Sequence, residues 1–285
     1  MQVQWFPGHM AKTRRLIQEN LKLIDVVIEI VDGRIPNSSR NPLLDELISS
    51  KPRVIILNKE DLADDKVTGQ WLDFYNRQEN HQALKINSTI QRGNVVVSLK
   101  EALLSLTKEK REKRLLKGIK NQVIRSMVVG IPNVGKSTFI NSIVGKKAAK
   151  TGNKPGITRG KQWIRIEKEV ELLDTPGILW PKFEDPLVGF RLAVTGAVSD
   201  EVFDFGDASL KLIEFLTNEY PVLLMERYKL TNEELATTPL EIMEKMAVNR
   251  GCLLPGREID YTRIANLFIT DFRAGRIGRI SLEKP

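Results

Sequence analysis

Cysteine is nearly absent. The 285-residue chain has one, Cys252, so no disulfide can form within it, and two histidines, His9 and His81, too few for a Cys/His structural metal site. Stability must then come from a hydrophobic core, for which an apolar content of 41% in a chain of this length suffices. Long apolar runs are missing too. Stretches such as VVIEIV at 26–31 are short and broken by charge, and the start MQVQWFPGHMAK lacks a basic segment followed by an apolar one. These absences predict a soluble cytoplasmic protein with no membrane partner. Acidic residues are scarce in one region: 100–165 holds 17 Lys+Arg against Glu101, Glu109 and Glu112, whereas from 180 onward 13 basic residues meet 17 acidic ones. The net charge of +8 is therefore concentrated, and such a stretch attracts a polyanion, nucleic acid above all. The run TKEKREKRLLKGIK at 107–120 also fits a merely solvated helix face.

Strand and helix patterns alternate through the first two thirds. Helix is predicted over 11–24, from about Asn41 with Pro42 in its first turn, near 68–79, near 95–116 and from Lys136. Strands are predicted over 25–32, 52–59, 83–87 and 124–130, with an antiparallel pair at 161–166 and 170–174. That alternation predicts an α/β fold with a mostly parallel sheet covered by helices. Beyond LWPKFEDP at 179–186 the candidates are all helical: 187–197, 208–219, 239–249 and 259–270. The expected organisation is a first domain over 1–180, with an extension over 1–24, and a smaller all-helical domain over 181–285.

GIPNVGKS at 130–137 satisfies G-x-x-x-x-G-K-[ST] through Gly130, Gly135, Lys136 and Ser137. Its glycines let backbone N–H groups, those of Pro132's neighbours Asn133 and Val134 included, cradle phosphate oxygens. Lys136 reaches the β and γ phosphates, Ser137 ligates Mg²⁺, and Thr138 follows in the first helical turn. DTPG at 174–177 offers Asp174 as a Mg²⁺ ligand at a strand tip and the Gly177 amide for a γ-phosphate. Between them, Thr158 in KPGITRGK offers a hydroxyl to complete the metal shell. NKED at 58–61 is the candidate base reader. The Asp61 carboxylate can accept from N1–H and the 2-amino group of guanine, donors that adenine lacks; Asn58 meets the ring edge and Lys59 lies across the base. The loop after the next strand, Asn87-Ser88, is placed to contact the guanine oxygen. Both upstream motifs lie just beyond parallel strands, at the sheet edge that must also hold the phosphate loop, so one pocket can form although the base reader precedes the phosphate loop.

That motif order resembles the circularly permuted GTPases. MQVQWFPGHMAKTRR, DGRIPNSSRNP at 32–42, LDTPGILWPKFEDPLVG at 173–189 and the helical tail together resemble the ribosome biogenesis GTPase A family over nearly the whole chain. Gly33 departs from that family's usual DAR, a change expected to leave the nucleotide site untouched. INST replaces the common SA-type guanine loop, which bears on Ser88 alone. The resemblance implies a P-loop GTPase that binds GTP, GDP and ribosomal RNA, acts late in large (50S) subunit assembly, and is stimulated by the particle. It also implies an ANTAR-like RNA-binding fold for the helical domain and a monomer off the ribosome. Chemically, a guanine-reading, pyrophosphate-cradling pocket would also accept (p)ppGpp.

Many GTPases place a glutamine just after D-x-x-G to position water, and here Ile178 can neither donate nor accept a hydrogen bond. The resemblance implies two substitutes. One is His9 as a catalytic residue; the other is Asn133 as a ligand of an activating K⁺. Each residue also has a plain structural reading, as a cap and as a turn residue. Trp5, Phe6, Trp163 and Trp180 suit either stacking on bases or packing, and Arg273, Arg276 and Arg279 either phosphates or Asp271 and Glu283. A guanine-nucleotide sensor without turnover and a P-loop ATPase are the competing classes.

Overall fold

A computed structural model describes residues 7–88, 92–120, 122–144, 162–166, 169–180, 183–200 and 203–285, with backbone alone at 7–10, 92 and 162. Two units result, one formed by the chain up to Glu184 together with Ser281–Pro285, the other by Asp185–Ile280.

In the first unit the order is α1 (Pro7–Leu21), β1 (Val26–Asp32), α2 (Pro42–Ile48), β2 (Arg53–Asn58), α3 (Asp65–Asn76), β3 (His81–Ile86), α4 (Arg92–Leu106), α5 (Lys108–Leu116), β4 (Ile124–Val129), α6 (Lys136–Val144), β5 (Gln162–Ile166) and β6 (Val170–Asp174). The sheet runs β3-β2-β1-β4-β6-β5, parallel except for β5 against β6. β1 and β2 are buried along their whole length and β4 at every residue but Arg125, as strands rich in Val, Ile and Leu inside a mostly parallel sheet are expected to be. Because β1 is central, the C-terminal ends of β2 and β4 flank it, and these are the ends that carry NKED and the phosphate loop.

Local chemistry sets the helix starts. Asn41 caps α2 by accepting from Leu43 N–H, with Pro42 in the first turn, and Asp64 caps α3 by accepting from Val67 N–H. The helix predicted over 95–116 is two helices. Thr107 is buried and bonds back to the Leu103 carbonyl at 2.7 Å, and the chain restarts as α5, which buries none of its residues. Part of the expected extension packs on the sheet: Ile17 and Ile24 are fully buried with Val27, Leu44, Met127 and Leu173.

The second unit holds α7 (Pro186–Val194), α8 (Phe205–Glu219), α9 (Pro221–Tyr228), α10 (Asn232–Leu235), α11 (Pro239–Arg250) and α12 (Tyr261–Arg273). It starts at Asp185, not 181, because Asp185 caps α7 by accepting from Leu187 N–H and Pro186 opens the helix. Nor does it run to residue 285. Ser281–Pro285 belong to the first unit, held by backbone and side-chain hydrogen bonds to 34–38, Asp64 and Trp71. Its core is Leu212, Leu216, Leu224, Met246, Phe268 and their neighbours. α9 and α10 escape the periodicity reading because each is only two turns or fewer. No helix among the described residues is long and apolar enough to cross a membrane.

Candidate functional site

The phosphate loop leaves β4 and turns through Asn133 and Gly135, both with positive φ (61° and 95°), into α6. A side chain at Gly135 is doubly excluded, since a Cβ there would stand 2.3 Å from the Asn58 amide nitrogen. That contact marks the junction of the site. Asn58, buried at the end of β2, donates through Nδ2 to the Val134 carbonyl at 2.7 Å, and its Oδ1 accepts from the Ser88 hydroxyl at 2.6 Å. One side chain thus ties the base-reading motif to the phosphate loop and to the loop after β3. Asn87 and Ser88 are both buried there, and Glu60 N–H lies 3.3 Å from the Ile86 carbonyl. The motifs that lie far apart in sequence meet in one place because β2 and β4 both neighbour β1.

Lys136 is buried in the first turn of α6, its ammonium donating to the carbonyls of Gly130 at 2.9 Å and Ile131 at 2.7 Å. Burial lowers its pKa to about 8 against the opposing charge of Asp174. Asp174 reaches the same spot because β6 is in register with β4, pairing Asp174 with Val128 two residues before Gly130. Gly177 then passes so close that a Cβ on it would lie 2.7 Å from Lys136 Nζ. The loop is anchored on both sides: Thr175 Oγ1 donates to the Val128 carbonyl at 2.7 Å, and the Asn41 amide donates to the Ile178 carbonyl at 3.0 Å. Ile178 itself is buried among Ile17, Leu44, Val129 and Leu173, so it faces the core rather than any water.

Lys59 adopts a left-handed conformation, φ 59°, and its ammonium donates to the Asp32 carboxylate at 2.8 Å. Asp32 is in turn gripped by the buried Arg34 through two bonds, of 2.9 and 2.8 Å. Burial pushes the Asp32 carboxyl up, but Arg34 and Lys59 overrule it and hold it well below the usual carboxylate range. Burial lowers the Lys59 pKa, with Asp32 opposing. Asp61 is exposed, its carboxylate open to a ligand. Gly33 is not remote from the site as its sequence position suggested: its N–H donates to the Asn58 carbonyl at 2.7 Å. The grip of Asp32 on Lys59 and the junction at Asn58 are the two features that sequence reasoning missed. The first carried a faint signal, an acidic residue at the end of a buried strand.

Ser137 and Thr138 lie half-buried in the first turn of α6. Ser137 and Asp174 are hard oxygen donors beside a phosphate loop, the donor type Mg²⁺ prefers. Thr158, Trp5 and Phe6 lie outside the described residues, as does the side chain of His9, whose backbone is in the first turn of α1. Of the other tryptophans, Trp180 packs edge-on against Phe183, and Trp163 is part-exposed under the Arg125 guanidinium. In the second unit Arg273 donates to the Ala193 and Val194 carbonyls and to Asp200, and Arg276 to Asp271.

A family model described as a 50S ribosome-binding GTPase matches residues 125–239. It begins at β4 and so omits the upstream base reader, as a permuted order requires. The chain is 49% identical to the ribosome biogenesis GTPase A of Bacillus cereus, over 100% of this chain and 95% of that one. It superposes on GDP-bound YlqF with a TM-score of 0.67 at 27% identity, covering 95% of this chain and 99% of that structure. On YlqF of T. maritima bound to GNP the TM-score is 0.66 at 27% identity, covering 96% and 98%. With GIPNVGKS, NKED and DTPG gathered on one permuted sheet, the chain belongs to the ribosome biogenesis GTPase A family and is a GTPase.

Proposed function

We propose that this protein hydrolyses GTP at a late step of large (50S) subunit maturation, binding ribosomal RNA and being stimulated by the particle. The observation that supports the guanine-nucleotide site is the Asn58 junction, which joins base reader and phosphate loop into one pocket. Asp61 reads the N1–H and 2-amino donors of guanine, Asn58 and the Asn87-Ser88 loop frame the base, and Lys59 covers its face. The amides of Gly130 to Thr138, with Pro132, Asn133 and Val134 between, cradle the phosphates while Lys136 transfers its hydrogen bonds from the Gly130 and Ile131 carbonyls to phosphate oxygens. Ser137 and Asp174, with Thr158, would hold Mg²⁺, which would supply positive charge to the β and γ phosphates.

With Ile178 turned into the core, water must be positioned from elsewhere. His9 takes that role on the RNA-bound protein, and Asn133 would help hold a K⁺, which would supply positive charge beside the phosphates. A shift at Gly177 travels a few residues along the chain before entering the helical RNA-binding unit at Asp185. On the RNA side, α5 and the residues just after it support the reading: Lys108, Lys113, Lys117 and Lys120 are exposed, and Lys110 and Arg114 pair with the buried Asp25. The protein acts in the cytoplasm, as a monomer off the ribosome, with (p)ppGpp as a competing ligand. GTP hydrolysis measured with and without large subunits, in K⁺ and in Na⁺ at equal ionic strength, tests this. Stimulation that needs both particle and K⁺ is expected; turnover indifferent to the particle would overturn the ribosomal part.

A further inference from the structure

Residues 281–285 belong to the unit that carries the nucleotide site, although the whole second unit separates them from it in sequence. Their attachment is dense and specific. Glu283 is buried, and its carboxylate accepts from the backbone N–H groups of Asn37 and of Ser38, the latter at 2.9 Å, and from the Ser38 hydroxyl at 2.5 Å. Two adjacent amides and a hydroxyl on one carboxylate form an anion nest, a charge-assisted arrangement stronger than neutral hydrogen bonds. Around it, the Glu283 carbonyl accepts from Trp71 Nε1 at 3.2 Å, Leu282 N–H donates to the Arg34 carbonyl at 2.8 Å, and Ser281 Oγ accepts from Asp64 N–H at 3.2 Å.

These bonds all fall on the two segments that frame the base reader. Residues 33–41 connect β1 to α2, and Asp64 caps the helix that follows NKED. Within the first segment the contacts continue in a chain. Leu282 and Glu283 fix the backbone of 34–38; Arg34, so fixed, holds Asp32 through two bonds; Asp32 holds the Lys59 ammonium. Ser39 adds a further tie, its hydroxyl accepting from Asp32 N–H at 3.0 Å.

We propose that Glu283 is a positioning residue for guanine recognition, acting through the 34–38 loop, Arg34 and Asp32 to set Lys59 against the base. This rests on the assignment of NKED as the base reader. Lys59 has four rotatable side-chain bonds, and a lysine held in place before the base arrives loses less entropy on binding than one that must be ordered.

The test compares the full-length protein with Glu283→Ala and Glu283→Gln, using N-methylanthraniloyl-GDP as probe and inorganic tripolyphosphate, which meets the phosphate loop alone, as competitor. Glu283→Ala is expected to weaken the fluorescent nucleotide about tenfold, mainly through faster dissociation, and to leave tripolyphosphate unchanged. Glu283→Gln, which keeps one carbonyl acceptor for the amides, is expected to recover most of the affinity. Equal losses for both probes, or no loss for either, would overturn the proposal and leave Glu283 a residue of fold stability. Asp61→Asn is measured alongside. If it keeps full preference for guanine over xanthine nucleotides, the base-reader assignment fails and the tail proposal with it; if it loses that preference while Glu283→Ala behaves as parent, the tail proposal alone fails.

Discussion

Two buried aspartates, Asp32 in the first unit and Asp271 in the second, sit against arginines, and the two clusters differ in their other partners. Asp32 in the first unit is 3% exposed and binds Arg34, itself 1% exposed, and Lys59. Asp271 in the second unit is 1% exposed and accepts from Arg227 at 2.6 Å, Arg276 at 2.9 Å and the Tyr228 hydroxyl at 3.1 Å, with Arg250 at 3.7 Å. In both, burial pushes the carboxyl up and the surrounding donors overrule it, holding the pKa below the ordinary value. The partners of Asp271 come from α9, α11 and the turn after α12, so its bonds join helices to one another. Asp32 instead has one partner in the base reader. A buried ion cluster by itself says little about function; what decides is whether one of its members also faces a ligand.

The largest break in the comparison comes from Asp32→Ala. It strands the Arg34 guanidinium in the interior and should cost about 3–5 kcal/mol of stability, and in the fraction that remains folded, guanine-nucleotide affinity should fall as well. Chemical denaturation and nucleotide titration check the two parts; unchanged nucleotide binding would reduce Asp32 to a packing residue like its counterpart. Asp271→Ala should cost less, about 2 kcal/mol, because Arg227, Arg250 and Arg276 can turn toward water. Its nucleotide affinity should match the parent, and any weakening would show that the second cluster is not purely structural.

Acid sharpens the likeness. A carboxyl whose folded pKa lies below its unfolded value contributes fully above about pH 4 and loses that contribution as pH falls through the folded value. Asp271→Asn should therefore flatten the fall of the melting temperature between roughly pH 5 and pH 2, and a slope identical to the parent's would remove Asp271 from acid stability. Smallest should be Arg276→Ala, since that side chain is 55% exposed; a loss of about 0.5 kcal/mol is expected, and more than 2 kcal/mol in a denaturation curve would mean the cluster acts as a tight network.

Most of the sheet was legible because the buried strands are rich in Val, Ile and Leu and end at recognisable motifs, and the phosphate loop declares itself through glycine spacing. Helix starts such as Asn41-Pro42 were equally plain. What escaped depends on side chains reaching between distant segments. Asn58 reads as a base contact, and nothing in NKED says that its amide will bind the Val134 carbonyl. Gly33 reads as a remote substitution until β1 and β2 are set in register and its N–H meets Asn58. SLEKP at 281–285 has neither periodicity nor a motif, so the boundary drawn at 180 assigned it to the wrong unit. NKED was legible as a motif, but the contacts that hold it were not.

The ties of Glu283 span 245 residues to Ser38 and 246 to Asn37. During synthesis β1, β2 and the loop between them emerge early, and the entire helical unit must be made before the segment that clamps this loop leaves the ribosome. Contacts this distant are the slowest to form in folding. The 34–38 loop is thus tied down last, after every helix of the second unit has been made.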